Sequence, residues 1–189
     1  MQQATQPVQR MSCENCGAPL KLEPERHFLF CEYCSALYFP KESPDGMALL
    51  GEPANVPCPI CRIPLTLARI GEFLVLTCEQ CKGILFDLTD FLPTLEYLRL
   101  RYPERRRPPA AFNSKELERG LRCPHCESKM ETFPYSGPGN VVVDNCITCG
   151  ILWLDYDEIN RIVQTPERRR EQDDWLDITS IEIKSENDR

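Results

Sequence analysis

The chain has 189 residues, of which 27% are charged, 17 are proline and 12 are cysteine, and its formal net charge is −7. That composition leaves little apolar material for one large core and points to several small units, each too small for burial alone to outweigh chain entropy. The acidic balance opposes binding to a polyanion over the whole surface. No run reaches the ~18 apolar residues of a membrane span, and residues 1–10 are polar, without the apolar core of a secretion signal. The expected compartment is the reducing cytoplasm, where paired cysteines favour metal over disulfide.

After this polar tail, 1–10, expected to be disordered, a first unit spans 11–40. Cys13-Glu14-Asn15-Cys16 is a tight knuckle aiming two thiols at one point, and Gly17 suits the positive φ of its turn. Phe28-Leu29-Phe30, led by His27, is a strand into Cys31; Leu37-Tyr38-Phe39 is a strand out, stopped by Pro40. Residues 41–56 hold Pro44, Gly46, Gly51 and Pro53 and read as a linker.

The second unit spans 57–101. Ile63, Leu65 and Leu67 alternate after Cys58-Pro59-Ile60-Cys61, and Phe73-Leu74-Val75-Leu76 returns into Cys78. Beyond Cys81, Ile84-Leu85-Phe86 leads to Asp87, a helix cap. Leu88, Phe91, Leu92, Leu95 and Leu98 then recur at helical spacing, with Pro93 requiring a start near Thr89 or Asp90 so that it falls in the first turn. Residues 102–121 form a basic, proline-rich linker in which Asn113 and Glu116 cap a short helix from Ser114 to Leu121.

The third unit, 122–165, has the half-sites Cys123-Pro124-His125-Cys126 and Cys146-Ile147-Thr148-Cys149. Val141-Val142-Val143 is a β-branched strand into the second of these. Gly150-Ile151-Leu152-Trp153-Leu154 is a strand ending at Asp155, the expected N-cap, with Glu158 completing a capping box. Trp153 is expected to pack the ribbon against the helix that follows it, which Pro166 stops. The remainder, 166–189, is a charged tail.

The twelve cysteines fall as three sets: Cys13, Cys16, Cys31, Cys34; Cys58, Cys61, Cys78, Cys81; and Cys123, Cys126, Cys146, Cys149. Each set is two C-x-x-C half-sites around a spacer of 14, 16 or 19 residues, the spacing of four-cysteine zinc sites. Dithiol redox proteins share the C-x-x-C spelling, but no βαβ pattern accompanies it here. Zn²⁺ accepts four thiolates tetrahedrally at ~2.3 Å, and four protein ligands leave no position for water or substrate. Such a site is structural, and the metal returns ~10–16 kcal/mol of folding free energy. The expected cofactor is zinc, three ions per chain, with iron the alternative that the same sulfurs admit. The fold class is therefore a small metal-stabilised α+β protein: three tandem four-cysteine zinc ribbons of short antiparallel β-strands, the second and third each followed by a helix.

Two of the units carry a resemblance. Cys58-Pro59-x-Cys61…Cys78-x-x-Cys81-x-Gly83-Ile84…Asp87 and Cys123-Pro124-x-Cys126…Cys146-x-x-Cys149-Gly150-x-x-Trp153-Leu154-Asp155-x-x-Glu158 resemble the zinc-ribbon family named after general transcription factor IIB, in its small stand-alone bacterial-type form. In the second unit Leu85-Phe86-Asp87 stands in place of Trp-Leu-Asp, and in the third Ile151 stands where a second glycine is usual. The first unit resembles only a generic ribbon. The resemblance implies a zinc-binding fold.

Three zinc ions closed by twelve thiolates add two negative charges per site, taking the formal charge from −7 to about −13. Apart from Arg168 to Arg170 the only dense basic patch is Arg99, Arg101, Arg105, Arg106 and Arg107, and only such a local patch could face a polyanion. Catalytic candidates are few: His27 and His125 are the only histidines, and there is no glycine-rich phosphate loop, nucleophile elbow or paired-carboxylate arrangement. The expected function is a non-catalytic, zinc-binding protein-interaction adaptor or scaffold, with no membrane and no small-molecule substrate evident. The alternative is a nucleic-acid-binding or transcription- or translation-associated protein using the Arg99–Arg107 patch.

Overall fold

The structure is a computed structural model that describes residues 11–23, 28–104 and 107–166. The expected tail 1–10, His27, Arg105, Arg106 and residues 167–189 lie outside the described residues. In chain order the elements are β1 (Lys21–Glu23), β2 (Phe28–Phe30), β3 (Leu37–Tyr38), β4 (Met47–Pro57), β5 (Pro64–Ile70), β6 (Phe73–Thr77), β7 (Ile84–Asp87), α1 (Leu88–Arg101), β8 (Glu131–Pro134), β9 (Val142–Cys146), β10 (Ile151–Leu154) and α2 (Glu158–Gln164). A short 3-10 helix, Ser114–Glu118, precedes β8, with the Asn113 side chain accepting from the Lys115 N–H.

These strands form two antiparallel sheets. β1-β2-β3 is the first ribbon, while the second and third ribbons merge into one seven-stranded sheet of order β4-β5-β6-β7-β10-β9-β8. The seam is β7 against β10, where Leu85 lies opposite Trp153, Phe86 opposite Leu152 and Ile84 opposite Leu154. Leu85 and Trp153 each stand four residues beyond the last cysteine of their set. The pairing is therefore symmetric about that residue pair, and each ribbon covers the strand edge that the other would leave open. The Leu88 N–H extends the seam by donating to the Gly150 carbonyl at 2.8 Å.

Strand alternation then divides the side chains between two layers. Ile84, Phe86, Leu152 and Leu154 point to one face, where Phe91, Leu95 and Leu98 of α1 and Ile159, Ile162 and Val163 of α2 cover them. Leu85, Ile151 and Trp153 point to the other face, among the cysteines of the second and third sets. The first ribbon has its own small core of Cys13, Leu20, Leu29 and Cys31.

Three expectations change here, beside the helix expected from Ser114 to Leu121, which is the 3-10 helix Ser114–Glu118. Residues 41–56, read as a linker, supply most of β4, whose Ala48 and Leu50 are buried. The breakers misled because β4 is an edge strand, where proline's missing donor is tolerated, and register shifts against β5 fall between Leu49 and Pro53 and between Pro53 and Pro57. Gly51 lies at the first shift with φ +70°, and a Cβ there would come within 2.7 Å of Met11 Cγ, so the glycine also lets the start of the first ribbon approach β4. Second, α1 begins at Leu88, directly after its cap Asp87, so Pro93 lies past the first turn. The Asp87 carboxylate accepts from the Thr89 N–H at 2.9 Å and hydroxyl at 2.7 Å, which fixes the start one residue early.

Third, Asp155 is not the N-cap of α2; that position is Asp157, with φ +70° and no side-chain cap bond. Half of the capping box survives, because the Glu158 carboxylate accepts from the Asp155 N–H at 2.7 Å. The Asp155 carboxylate is engaged elsewhere, accepting from Trp153 Nε1 at 2.9 Å and from Arg119.

Candidate metal centres

Each cysteine set closes into one cluster: the four Sγ atoms of each set lie within 4.8 Å of one another. Contacting sulfurs are 3.5 Å apart for Cys13 and Cys34, 3.4 Å for Cys16 and Cys31, 3.6 Å for Cys58 and Cys81, and 3.7 Å for Cys126 and Cys146. A tetrahedron of thiolates at ~2.3 Å from zinc has edges of about 3.8 Å. The donor sets therefore fit the ion, and no disulfide joins any of the twelve cysteines. The first cysteine of each half-site is buried and the second is half-buried or exposed, so each site has one side against its ribbon's core and one toward solvent.

The backbone builds these clusters through a repeated turn. In five knuckles the N–H four residues after the first cysteine donates to that cysteine's carbonyl: Gly17 to Cys13, Ser35 to Cys31, Arg62 to Cys58, Lys82 to Cys78 and Glu127 to Cys123, at 2.8–3.0 Å. The first cysteine's own N–H donates one residue further on, as from Cys58 to the Ile63 carbonyl at 2.7 Å. All five residues closing the turn have positive φ, between 58° and 73°. Gly17 signalled this conformation in the sequence; Ser35, Arg62, Lys82 and Glu127 did not, and their position next to the second cysteine was the available signal. N–H groups inside the turns also point at sulfur, as from Cys61 to Cys58 Sγ at 3.2 Å and from His125 to Cys123 Sγ at 3.4 Å. Such donors favour thiolate over thiol. At Cys126 a hydrogen bond from Ser128 is the largest influence, bringing the thiol down to about 6, while Cys149, hydrogen-bonded to Cys126, is pushed up to about 12.

Trp153 joins the second and third centres. It is fully buried, and its ring lies so close to Gly83 that a Cβ there would sit 2.1 Å from Cζ2 and 2.7 Å from Cη2. The tryptophan therefore packs across the seam onto the other ribbon, not against its own helix as expected: its place in β10 puts it on the face opposite α2. An ionic cluster behind it escaped the sequence reading. Arg119 bridges Asp144 and Asp155, the Thr132 hydroxyl donates to Asp144, and Asp155 holds the indole N–H. Burial pushes the Asp144 carboxyl above its usual range and raises Glu158 to about 7.

The arginines considered for nucleic acid are placed as follows. Arg101 pairs with Glu42 at 2.5 Å and donates to the Tyr97 hydroxyl at 2.7 Å. Arg107 forms a two-pronged pair with Asp157, at 2.9 and 2.5 Å, and holds that carboxyl below its usual range. Arg99 is half-buried on α1. Arg107 thereby ties the segment after α1 to the start of α2, a contact between residues 50 apart that no local pattern announces.

No helix among the described residues is long and apolar enough to cross a membrane. The sequence model of the family described as Transcription factor zinc-finger matches residues 57–96 and 122–165. No curated protein and no solved structure matches the chain. The two matched regions are the ribbons that share the seven-stranded sheet, with one closed four-cysteine cluster in each. In these two regions the chain is similar to the zinc ribbons of the family named after general transcription factor IIB.

Proposed function

We propose that the protein is a non-catalytic adaptor whose zinc ions hold its shape and whose surface binds other proteins. The observation that carries this reading is the placement of two of the five arginines of the basic patch: Arg101 and Arg107 are spent on ion pairs with Glu42 and Asp157. A formal charge of about −13 with three zinc sites filled surrounds them, and binding to phosphates needs cations able to displace counterions. Each four-thiolate set satisfies its metal completely, which supports a structural rather than a catalytic ion. Large apolar side chains meanwhile stand in solvent at the knuckles, including Tyr33, Ile60 and Ile147.

The test is a titration of labelled single- and double-stranded oligonucleotides, followed by fluorescence anisotropy across salt concentrations, beside cross-linking of the full chain in its native extract. The adaptor reading expects oligonucleotide affinity weaker than about 100 µM at physiological salt, together with reproducible protein cross-links. Micromolar binding that falls steeply with salt, and is lost when Arg105, Arg106 and Arg107 are reversed to Glu, would instead establish the nucleic-acid reading.

A further inference from the structure

The first ribbon exposes a face that its two sister ribbons bury. In the second and third ribbons, the strand leaving the metal site, β7 or β10, pairs with its counterpart and lies beneath helices. The matching strand of the first ribbon is β3, and among the described residues no strand pairs with its outer edge. Register fixes what the open face presents. Phe30 lies opposite Lys21 on one side and Leu37 on the other, while Leu29 pairs with Tyr38 and faces inward. Phe28, Phe30, Leu37 and Phe39 therefore share the outer face. The rings of Phe28 and Phe39 meet at 5.8 Å between centroids, tilted by 53°, and Leu37 and Phe39 remain 60% and 62% exposed. Tyr33, 78% exposed, stands on the adjacent knuckle.

The charge around this platform selects among occupants. Residues 11–40 contain Glu14, Glu23, Glu25 and Glu32 against Lys21 and Arg26, and the four-thiolate zinc site brings the ribbon to about −4. Lys21 is itself neutralised by Glu32 at 2.5 Å. Aromatic rings can stack nucleobases, but this field repels the phosphates that come with them. An apolar surface on an acidic ribbon suits a segment whose apolar side chains are interleaved with Lys or Arg.

We propose that the outer face of the first ribbon, built from Phe28, Phe30, Leu37 and Phe39, docks a basic, apolar segment of a partner protein. The proposal rests on the adaptor reading and names its contact surface. It is tested by panning a displayed library of random 12-residue peptides against the zinc-loaded full chain, then titrating the enriched peptides into ¹⁵N-labelled protein. The expected result is enrichment of peptides combining large apolar residues with Lys or Arg, and shifts confined to the first ribbon. Affinity should fall at least about tenfold in the double variant Leu37→Ala, Phe39→Ala. The control Leu92→Ala, Leu100→Ala, which trims comparably exposed residues of α1, should change it less than twofold. Zinc content and amide dispersion establish that both variants fold. No enrichment, enrichment of acidic peptides, or insensitivity to the double variant overturns the proposal. So does a concentration-dependent dimer in sedimentation velocity that the double variant disperses, which would make a second copy the occupant. Peptides that bind elsewhere on the protein defeat this surface while leaving the adaptor reading intact; a dT12 oligonucleotide that alone shifts the same resonances defeats both.

Discussion

Replacing Gly83 with Ala should destabilise the seven-stranded body by about 3 kcal/mol, the upper range of over-packing costs, read as a shift in urea midpoint by far-UV circular dichroism in zinc-containing buffer. The added methyl would meet three atoms of the Trp153 ring at 2.1, 2.7 and 2.8 Å. Neither side can readily give way. The Gly83 carbonyl accepts from the Cys78 N–H at 3.0 Å and from the Thr77 hydroxyl at 3.2 Å, which holds the knuckle in place. The indole is fully buried and its N–H is held by Asp155. Gly150 is an instructive comparison, since a Cβ there meets nothing within 4 Å and the cost comes only from φ +65°. Gly150→Ala should therefore cost about 1 kcal/mol. In a Trp153→Leu background, itself destabilised by its cavity, the additional effect of Gly83→Ala should fall below about 1 kcal/mol, because the clashing ring is gone. An undiminished effect would mean that the two residues do not meet across the seam.

Changing Cys146 to Ser should unfold the second and third ribbons together. Cys146 ends β9 and belongs to the same buried cluster as Cys58, Cys78 and Trp153. A structural zinc contributes ~10–16 kcal/mol, as much as the whole stability of an ordinary domain, so losing one ligand takes the third ribbon below its folding threshold. Its β10 then no longer covers β7, and helices α1 and α2 lose their shared core. In ¹⁵N correlation spectra, the dispersed signals of residues 57–101 and 122–165 should collapse together while those of the first ribbon persist. Survival of the second ribbon would show that the seam contributes little.

That shared fate was not legible in the sequence, although each ribbon was. Cysteine spacing alone located all three clusters, because two C-x-x-C turns determine where four sulfurs go whatever lies between them. Asp87 and the apolar period after it located α1 for the same local reason. The seam is different: Leu85 and Trp153 look like ordinary strand residues until β7 and β10 are paired, and only that pairing explains the glycine at 83. Proline and glycine hid β4, since a strand at a sheet edge can carry breakers that a central strand cannot. The cluster of Arg119, Asp144 and Asp155 and the Arg107–Asp157 pair join residues distant in sequence, where charge pattern carries no partner information.

The most direct test of the central claim, that three closed thiolate sites hold the folded chain together, is native mass spectrometry of the full chain purified without added metal. A mass of one chain plus three zinc ions, with all twelve cysteines alkylated after chelation and unfolding, is the predicted result. Two or fewer metals per folded chain, or cysteines that resist alkylation until a reductant is added, would contradict it.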